Sequence, residues 1–146
     1  VKEKRERTAG SDRSVIGIIV ITHGRLGREL ITAAEFILGG LERVASLSVE
    51  SPTESDRLHD QIRQAIAKVG GSQGVLILTD MFGGTPNNVA LTLHEPDQVE
   101  VVTGVNLPML IKAAEARDKC SLAELAAQVC TAGRDAIAVA GELLSS

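Results

Sequence analysis

One histidine, His23, stands just past an unbroken apolar run, Val15 to Ile21, and is followed at once by Gly24. One aspartate, Asp80, stands at the end of a second such run, Gly74 to Thr79, and leads into Met81-Phe82-Gly83-Gly84-Thr85-Pro86. A carboxylate beside an imidazole accepts the proton of one ring nitrogen, sets the tautomer, and leaves the other nitrogen with a free lone pair. That nitrogen can be a nucleophile, a general base or a metal ligand. A metal site needs more ligands, and His59 and His94 lie in segments with no helical or strand relation to His23. A hydrolase needs a hydroxyl nucleophile; Thr85 is the candidate, but no Gly-x-Ser-x-Gly turn accompanies it. A third chemistry, transfer of a phosphoryl group to His23 itself, suits the surroundings best. Gly24, Gly83 and Gly84 allow close backbone approach. Helix N-termini expected after His23 and after Thr85 would turn N–H groups and positive dipole ends toward an anion, and Thr85 adds a hydroxyl. Phosphoryl transfer asks mainly for positioning and charge stabilisation. It calls here for no metal and no cofactor. Taken singly, each motif also has a plainer reading: a strand-ending histidine, a turn aspartate, a glycine-rich helix cap.

The pair requires a fold that brings residues 23 and 80 together. Val15 to Ile21 shows no polar alternation, the pattern of a parallel strand covered on both faces. Leu26, Leu30, Ala33, Ala34, Ile37 and Leu38 recur at helical spacing, and Gly39-Gly40 stops the helix. Val44 to Val49 reads as a second strand. A helix follows with Leu58, Ile62, Ala65, Ile66 and Val69 on one face, capped by Thr53 or Ser55. The third strand is Gly74 to Thr79. A short helix near Asn87 to Leu93 opens on Pro86 with Thr85 as its cap. Val99 to Thr103 is a fourth strand, Pro108 opens a helix to about Ala116, and Ser121 caps another. Asp135 to Ala140 reads either as more helix or as a short terminal strand.

This alternation predicts an α/β, doubly wound parallel sheet, and His23 and Asp80 become neighbours if, and only if, its four strands take the flavodoxin-like order 2-1-3-4. Ligands of such sheets bind beyond the carboxyl ends of the strands. The order places strand 1 beside strand 3, hence His23 beside Asp80, with the loop from Gly104 to Leu107 on the same rim.

Composition narrows the partners. The chain has 146 residues, enough for one domain with a sizeable core, and only 1% aromatics, so that core is built from Val, Ile, Leu and Ala. A net charge of −4 argues against nucleic acid, whose phosphates require a basic surface. No apolar stretch approaches the roughly 18 residues of a membrane span. Residues 1–13 read as a charged, flexible tail without the apolar centre of a secretory signal. Cys120 and Cys130 have no metal or redox spacing and read as buried free thiols. Reduced thiols without a signal point to the cytoplasm.

Three segments together resemble a known family. Ile-Thr-His-Gly (21–24), Leu-Thr-Asp-Met-Phe-Gly-Gly-Thr-Pro-Asn-Asn (78–88) and Thr-Gly-Val-Asn-Leu-Pro-Met-Leu (103–110) are similar to the enzyme IIA domain of the mannose-type bacterial sugar phosphotransferase system. The likeness runs from about Ser14 to Ala140 and makes 14–146 a single IIA domain. It implies a cytoplasmic phosphocarrier that takes a phosphoryl group from phospho-HPr and gives it to an enzyme IIB component during sugar uptake. His23 would be phosphorylated, on Nε2, with Asp80 accepting from Nδ1–H. Gly24, Gly83, Gly84 and Thr85 would surround the phosphate. Thr22, Arg25, Phe82 and Asn106 would form the rim where partners dock. Arg25 and Arg28, cations in a first helical turn, oppose the dipole; they either hold phosphate or an acidic partner, or are solvated. Similar proteins form homodimers, in some cases by exchanging a C-terminal antiparallel strand, a role open to Asp135 to Ala140. The IIB component is expected on a separate polypeptide, and the membrane would be reached only through the permease complex. The same motifs also fit a stand-alone regulatory phosphoprotein whose His23 phosphorylation controls a partner.

Overall fold

The computed structural model describes residues 15–51 and 55–145. The tail expected over 1–13 and the possible cap at Thr53 lie outside the described residues.

Strands β1 (Gly17–His23), β2 (Val44–Val49), β3 (Val75–Thr79) and β4 (Val99–Thr103) alternate with helices α1 (Leu26–Leu38), α2 (Ser55–Val69), α3 (Thr85–Leu91), α4 (Leu107–Ala116) and α5 (Leu122–Asp135), and a short α6 (Ala140–Leu143) follows. All strands are parallel, in the order β2-β1-β3-β4. This is the doubly wound arrangement expected.

Alternate side chains of the two central strands feed two cores. Ile18 and Val20 of β1, with Leu76 and Leu78 of β3, pack with Ala34 of α1, Leu110 and Ala113 of α4, and Leu125 and Val129 of α5. Ile19 and Ile21, with Val75 and Ile77, face Leu58 and Ile62 of α2 and Val89 and Ala90 of α3. Each fully buried branched side chain contributes about 1.5–3 kcal/mol relative to exposure. Both faces are therefore apolar along the same strand, and the absence of polar alternation is the direct consequence. The only two aromatic residues, Phe36 and Phe82, are 92% and 74% exposed. The core is wholly aliphatic.

Three expectations change, and one open reading is narrowed. β1 does not stop at Ile21. It continues through Thr22 and His23, which pair with Ser48 and Val49 of β2, and the Gly24 N–H closes the edge on the Val49 carbonyl at 2.9 Å. Thr85 is not the cap of α3 but its first residue; Gly84, in extended conformation, is the cap. Asp135 to Ala140, open between helix and exchanged strand, forms no strand within the single chain. The Ala136 and Ile137 N–H groups bond back to Ala132 and Arg134, so the segment leaves α5 through a tightened last turn before α6 begins. A lone chain also leaves Ile137 and Val139 exposed, with no strand opposite them. Both cysteines are half-buried rather than buried. Cys120 donates its thiol to the Ala116 carbonyl, and burial, followed by Glu124 and Asp118, pushes its pKa up. The Ser121 cap is present as a full capping box with Glu124.

The close seating of α2 on β1 depends on Gly17, where a Cβ would lie 2.5 Å from the Val69 carbonyl oxygen. Backbone cannot swing away as a side chain can. Gly17→Ala is expected to cost about 1–3 kcal/mol by overpacking, read as a lower urea midpoint with unchanged m. An unaltered midpoint would mean that the helix end yields freely.

Candidate functional site

Because Ile21 of β1 lies opposite Thr79 of β3, the chains emerging from these strands put His23 and Asp80 side by side. The contact is double. Asp80 Oδ2 accepts from the His23 backbone N–H at 2.9 Å and lies 2.8 Å from His23 Nδ1. Its other oxygen, Oδ1, accepts from the Met81 N–H at 3.0 Å. The carboxylate is thereby held in one orientation by both the strand it faces and the loop it begins.

Burial works to raise the Asp80 pKa, but the hydrogen bond from the His23 backbone, then those from its ring and its charge, then that from Met81, outweigh it, and the carboxyl sits below its ordinary value. An ionised carboxylate only accepts. Nδ1 must therefore carry the proton, and in the neutral ring the lone pair is on Nε2. Exposure follows the same division. The Asp80 side chain is 12% exposed and that of His23 49%. Among the described residues Nε2 has no hydrogen-bond partner.

The glycines act differently from one another. Gly24 and Gly83 have φ of +56° and +87°, the left-handed region that side chains rarely enter, and space is open around both. Gly84 has an ordinary φ of −87° but lies against the imidazole: a Cβ there would meet His23 Cε1 at 2.8 Å and Nε2 at 3.3 Å. Gly83 is needed for the turn, Gly84 for proximity to the free nitrogen. The Thr85 hydroxyl has no hydrogen-bond partner among the described residues.

The residues nominated for the rim differ in placement. Thr22, placed on the docking rim, is wholly buried. Asn106, placed there too, is the cap of α4: its Oδ1 accepts from the Met109 N–H at 3.0 Å, and its Nδ2 donates to the Gly133 carbonyl at 3.2 Å, tying α4 to α5. Phe82 is exposed, and so are Met81 and Leu26. Arg25 is the N-terminal boundary of α1 without capping it through its side chain. Arg25 and Arg28 are both exposed. His94 lies 3.2 Å from Glu100, and His59 is on α2.

Sequence reasoning missed Asn87. It is buried in the first turn of α3, where its amide meets the Thr79 hydroxyl at 3.2 Å; that hydroxyl in turn meets Thr103 at 3.0 Å. Its neighbour Asn88 reaches back to the Gly83 carbonyl at 3.3 Å. Together they brace the glycine loop from below and from outside. The signal was present: two asparagines in a first helical turn are poor helix formers unless their amides bond to backbone or neighbours.

Relatives agree with this architecture. Residues 17–130 match the EIIA-man family, described as PTS system fructose IIA component. The mannose-specific EIIAB component of Escherichia coli (strain K12) is 34% identical over 84% of this chain, and the chain spans 38% of that protein's length. The sorbose-specific EIIA component of Lacticaseibacillus casei is 30% identical over 74% of this chain and 78% of its own. Among solved structures, the phosphotransferase system component EIIA from Streptococcus agalactiae superposes with a TM-score of 0.78 at 27% identity, covering 87% of this chain and 98% of the other. The fold is the one these IIA components share, and the family match over residues 17–130 sets the class. The chain belongs to the EIIA-man family.

The proximity of Gly84 to the ring is directly testable. Gly84→Ala is expected to push the imidazole off Asp80 while the fold survives, because the clash falls on a half-exposed side chain. Imidazole nitrogen NMR should show His23 losing its preference for the Nδ1–H form. Spectra that superpose on the wild type would exclude this role for Gly84.

Proposed function

We propose that His23 accepts a phosphoryl group through Nε2 and that the protein is a phosphocarrier of a bacterial sugar phosphotransferase system, receiving from phospho-HPr and giving to an enzyme IIB component. The observation that carries the reading is the asymmetry of the ring: Nδ1 is held at 2.8 Å by Asp80, and Nε2 faces outward beside Gly84 without a partner among the described residues. Membership of the family supports the choice of chemistry.

The Nε2 lone pair attacks phosphorus, a nitrogen–phosphorus bond forms, and the bond from phosphorus to the donor breaks with its electron pair leaving on the donor. The His23 ring becomes cationic while keeping its Nδ1 proton. Asp80, already ionised and already bonded, stabilises that charge without reorganising. Delivery to the acceptor reverses these steps: the acceptor's lone pair attacks, and the nitrogen–phosphorus electron pair returns to Nε2. Gly24, Gly83 and Thr85 border the phosphate, and the exposed Phe82, Met81 and Leu26 offer an apolar rim for protein partners, with Arg25 beside them. The reaction is placed in the cytoplasm. No described helix is long and apolar enough to cross a membrane.

Incubation with phosphoenolpyruvate, enzyme I and HPr is expected to label the wild type with acid-labile, base-stable phosphate and to leave His23→Ala unlabelled. Asp80→Asn should fold and accept phosphate roughly 10- to 100-fold more slowly, the usual cost of removing a partner that orients a functional imidazole. Equal labelling of His23→Ala would end this assignment, and an unchanged rate in Asp80→Asn would take Asp80 out of the mechanism.

The proposal includes a homodimer. β4 is an edge strand, and Ile137, half a turn past α5, lines a groove with Val101 and Val102 of that edge. Ile137, Val139, Leu143 and Leu144 form an exposed apolar C-terminal segment that a second copy would cover. Sedimentation should give about twice the chain mass of 15.4 kDa, and Val139→Asp should shift it toward one chain. A wild type that sediments as a single chain at micromolar concentration would refute this part.

A further inference from the structure

We propose that the Thr22 hydroxyl is the positioning group that sets the His23 ring for transfer, by clasping the turn on the carboxyl side of the histidine; the proposal rests on the reading of His23 as phosphoryl acceptor. Thr22 is wholly buried, so it meets no partner protein. Its Oγ1 accepts from the Gly27 N–H at 2.8 Å and donates to the Gly24 carbonyl at 3.3 Å. One hydroxyl thus binds the residue after His23 and the first turn of α1.

These bonds do what the helix boundary does not. Arg25 makes no side-chain bond to the first turn of α1. A first turn leaves N–H groups unpaired, and here Thr22 supplies an acceptor from across the turn. The approach is close because residue 27 is glycine: a Cβ there would lie 3.1 Å from Val20 Cγ1, 3.2 Å from Thr22 Oγ1 and 3.3 Å from Thr22 Cγ2. The helix is seated on the threonine.

His23 is then held from both sides. Asp80 takes its own N–H and its ring nitrogen. Thr22 fixes Gly24, whose φ of +56° sets the direction in which the chain leaves the histidine. Without the hydroxyl, Gly24 and Gly27 each lose a buried partner, the turn has more freedom, and the ring leaves its bonded position for part of the time. A simple buried cap would lower stability without affecting the ring, so the ring is the readout that separates the two roles.

The test compares Thr22→Val and Thr22→Ala, which lack the hydroxyl, with Thr22→Ser, which keeps it. Phosphotransfer is measured with phospho-HPr as the varied substrate, and His23 is followed by imidazole nitrogen NMR in the unphosphorylated protein. Both hydroxyl-free variants should lose roughly 10- to 100-fold in kcat, the scale of a small misplacement of a reacting group, with KM for phospho-HPr unchanged. Their Nδ1–H signal should move toward an unbonded value. Thr22→Ser should remain near the wild type in both readouts, despite losing a packed methyl. A wild-type ring signal in Thr22→Val or Thr22→Ala overturns the proposal. A Thr22→Ser variant as impaired as Thr22→Val also overturns it, because the hydroxyl would not be the cause. If wild-type protein takes no phosphate at all, the acceptor reading of His23 fails, and the ring signal alone still decides the role of Thr22.

Discussion

The parallel pairing of β1 with β3 brings His23 and Asp80, 57 residues apart in sequence, to neighbouring strand ends. Without it the imidazole has no partner, and the carboxylate keeps only the Met81 N–H. The pairing is enforced by burial, since Ile18, Ile19, Val20 and Ile21 are completely inaccessible and each finds its complement on β3 or on the helices of its face. A one-residue slip in register would exchange the two faces of β1. Because both faces are apolar, what resists that slip is the shape of the two cores and the fixed ends of the strand, at the Gly17 contact with Val69 and at the hydrogen bonds of His23. The His23–Asp80 pair is thus also one of the devices that holds the register producing it.

The two nitrogens of His23 are made unequal by where the sheet stops. The Asp80 side chain, bonded to the end of β1, is largely closed to water, whereas the His23 side chain is half exposed. Three N–H donors converge on one carboxylate and keep it ionised despite burial. That ionisation decides the tautomer, since a protonated Asp80 could itself donate and leave Nδ1 as an acceptor. Charge, tautomer and exposure are three results of one geometry, so a change that frees the carboxylate alters all three together.

Much of this was legible because continuous apolar runs, helical spacing and glycine stops are local signals. β2 and β4 fall at Val44–Val49 and Val99–Thr103 as read from the sequence, and alternation with handed crossovers predicts the doubly wound parallel sheet, whose order matches the flavodoxin-like one. The departures occur where polar residues are buried. Thr22 and His23 looked like the exit from a strand because hydrophobic patterning has no term for a threonine whose hydroxyl is fully bonded internally. Asn106 was placed on the rim by resemblance alone; its bonds to the Met109 N–H and to the Gly133 carbonyl, 27 residues away, were not visible in the sequence. Asn87 was passed over for the same reason, its partner being Thr79 on another element. Thr85 and Gly84 exchanged roles at the helix start because the approach of His23 from β1 selects the residue without a side chain for the cap position.

A further consequence concerns how the loops can move. The loop after β3 is braced by Asp80 to β1, by Asn87 to Thr79 and by Asn88 to Gly83, while the Val105 N–H bonds to the Thr79 carbonyl from the neighbouring strand. The turn after β1 is held by Gly24 to Val49 and by Thr22 to Gly27. Both segments that border Nε2 are thus anchored to strand ends rather than to each other. A group bound at Nε2 meets a surface already arranged before it arrives, and little ordering entropy remains to be lost on binding. The side chains of Phe82, Met81 and Leu26 are the exposed part of that rim. Under the proposed transfer, adaptation to two successive partners would fall to side-chain rotamers, with the backbone that positions Nε2 unchanged.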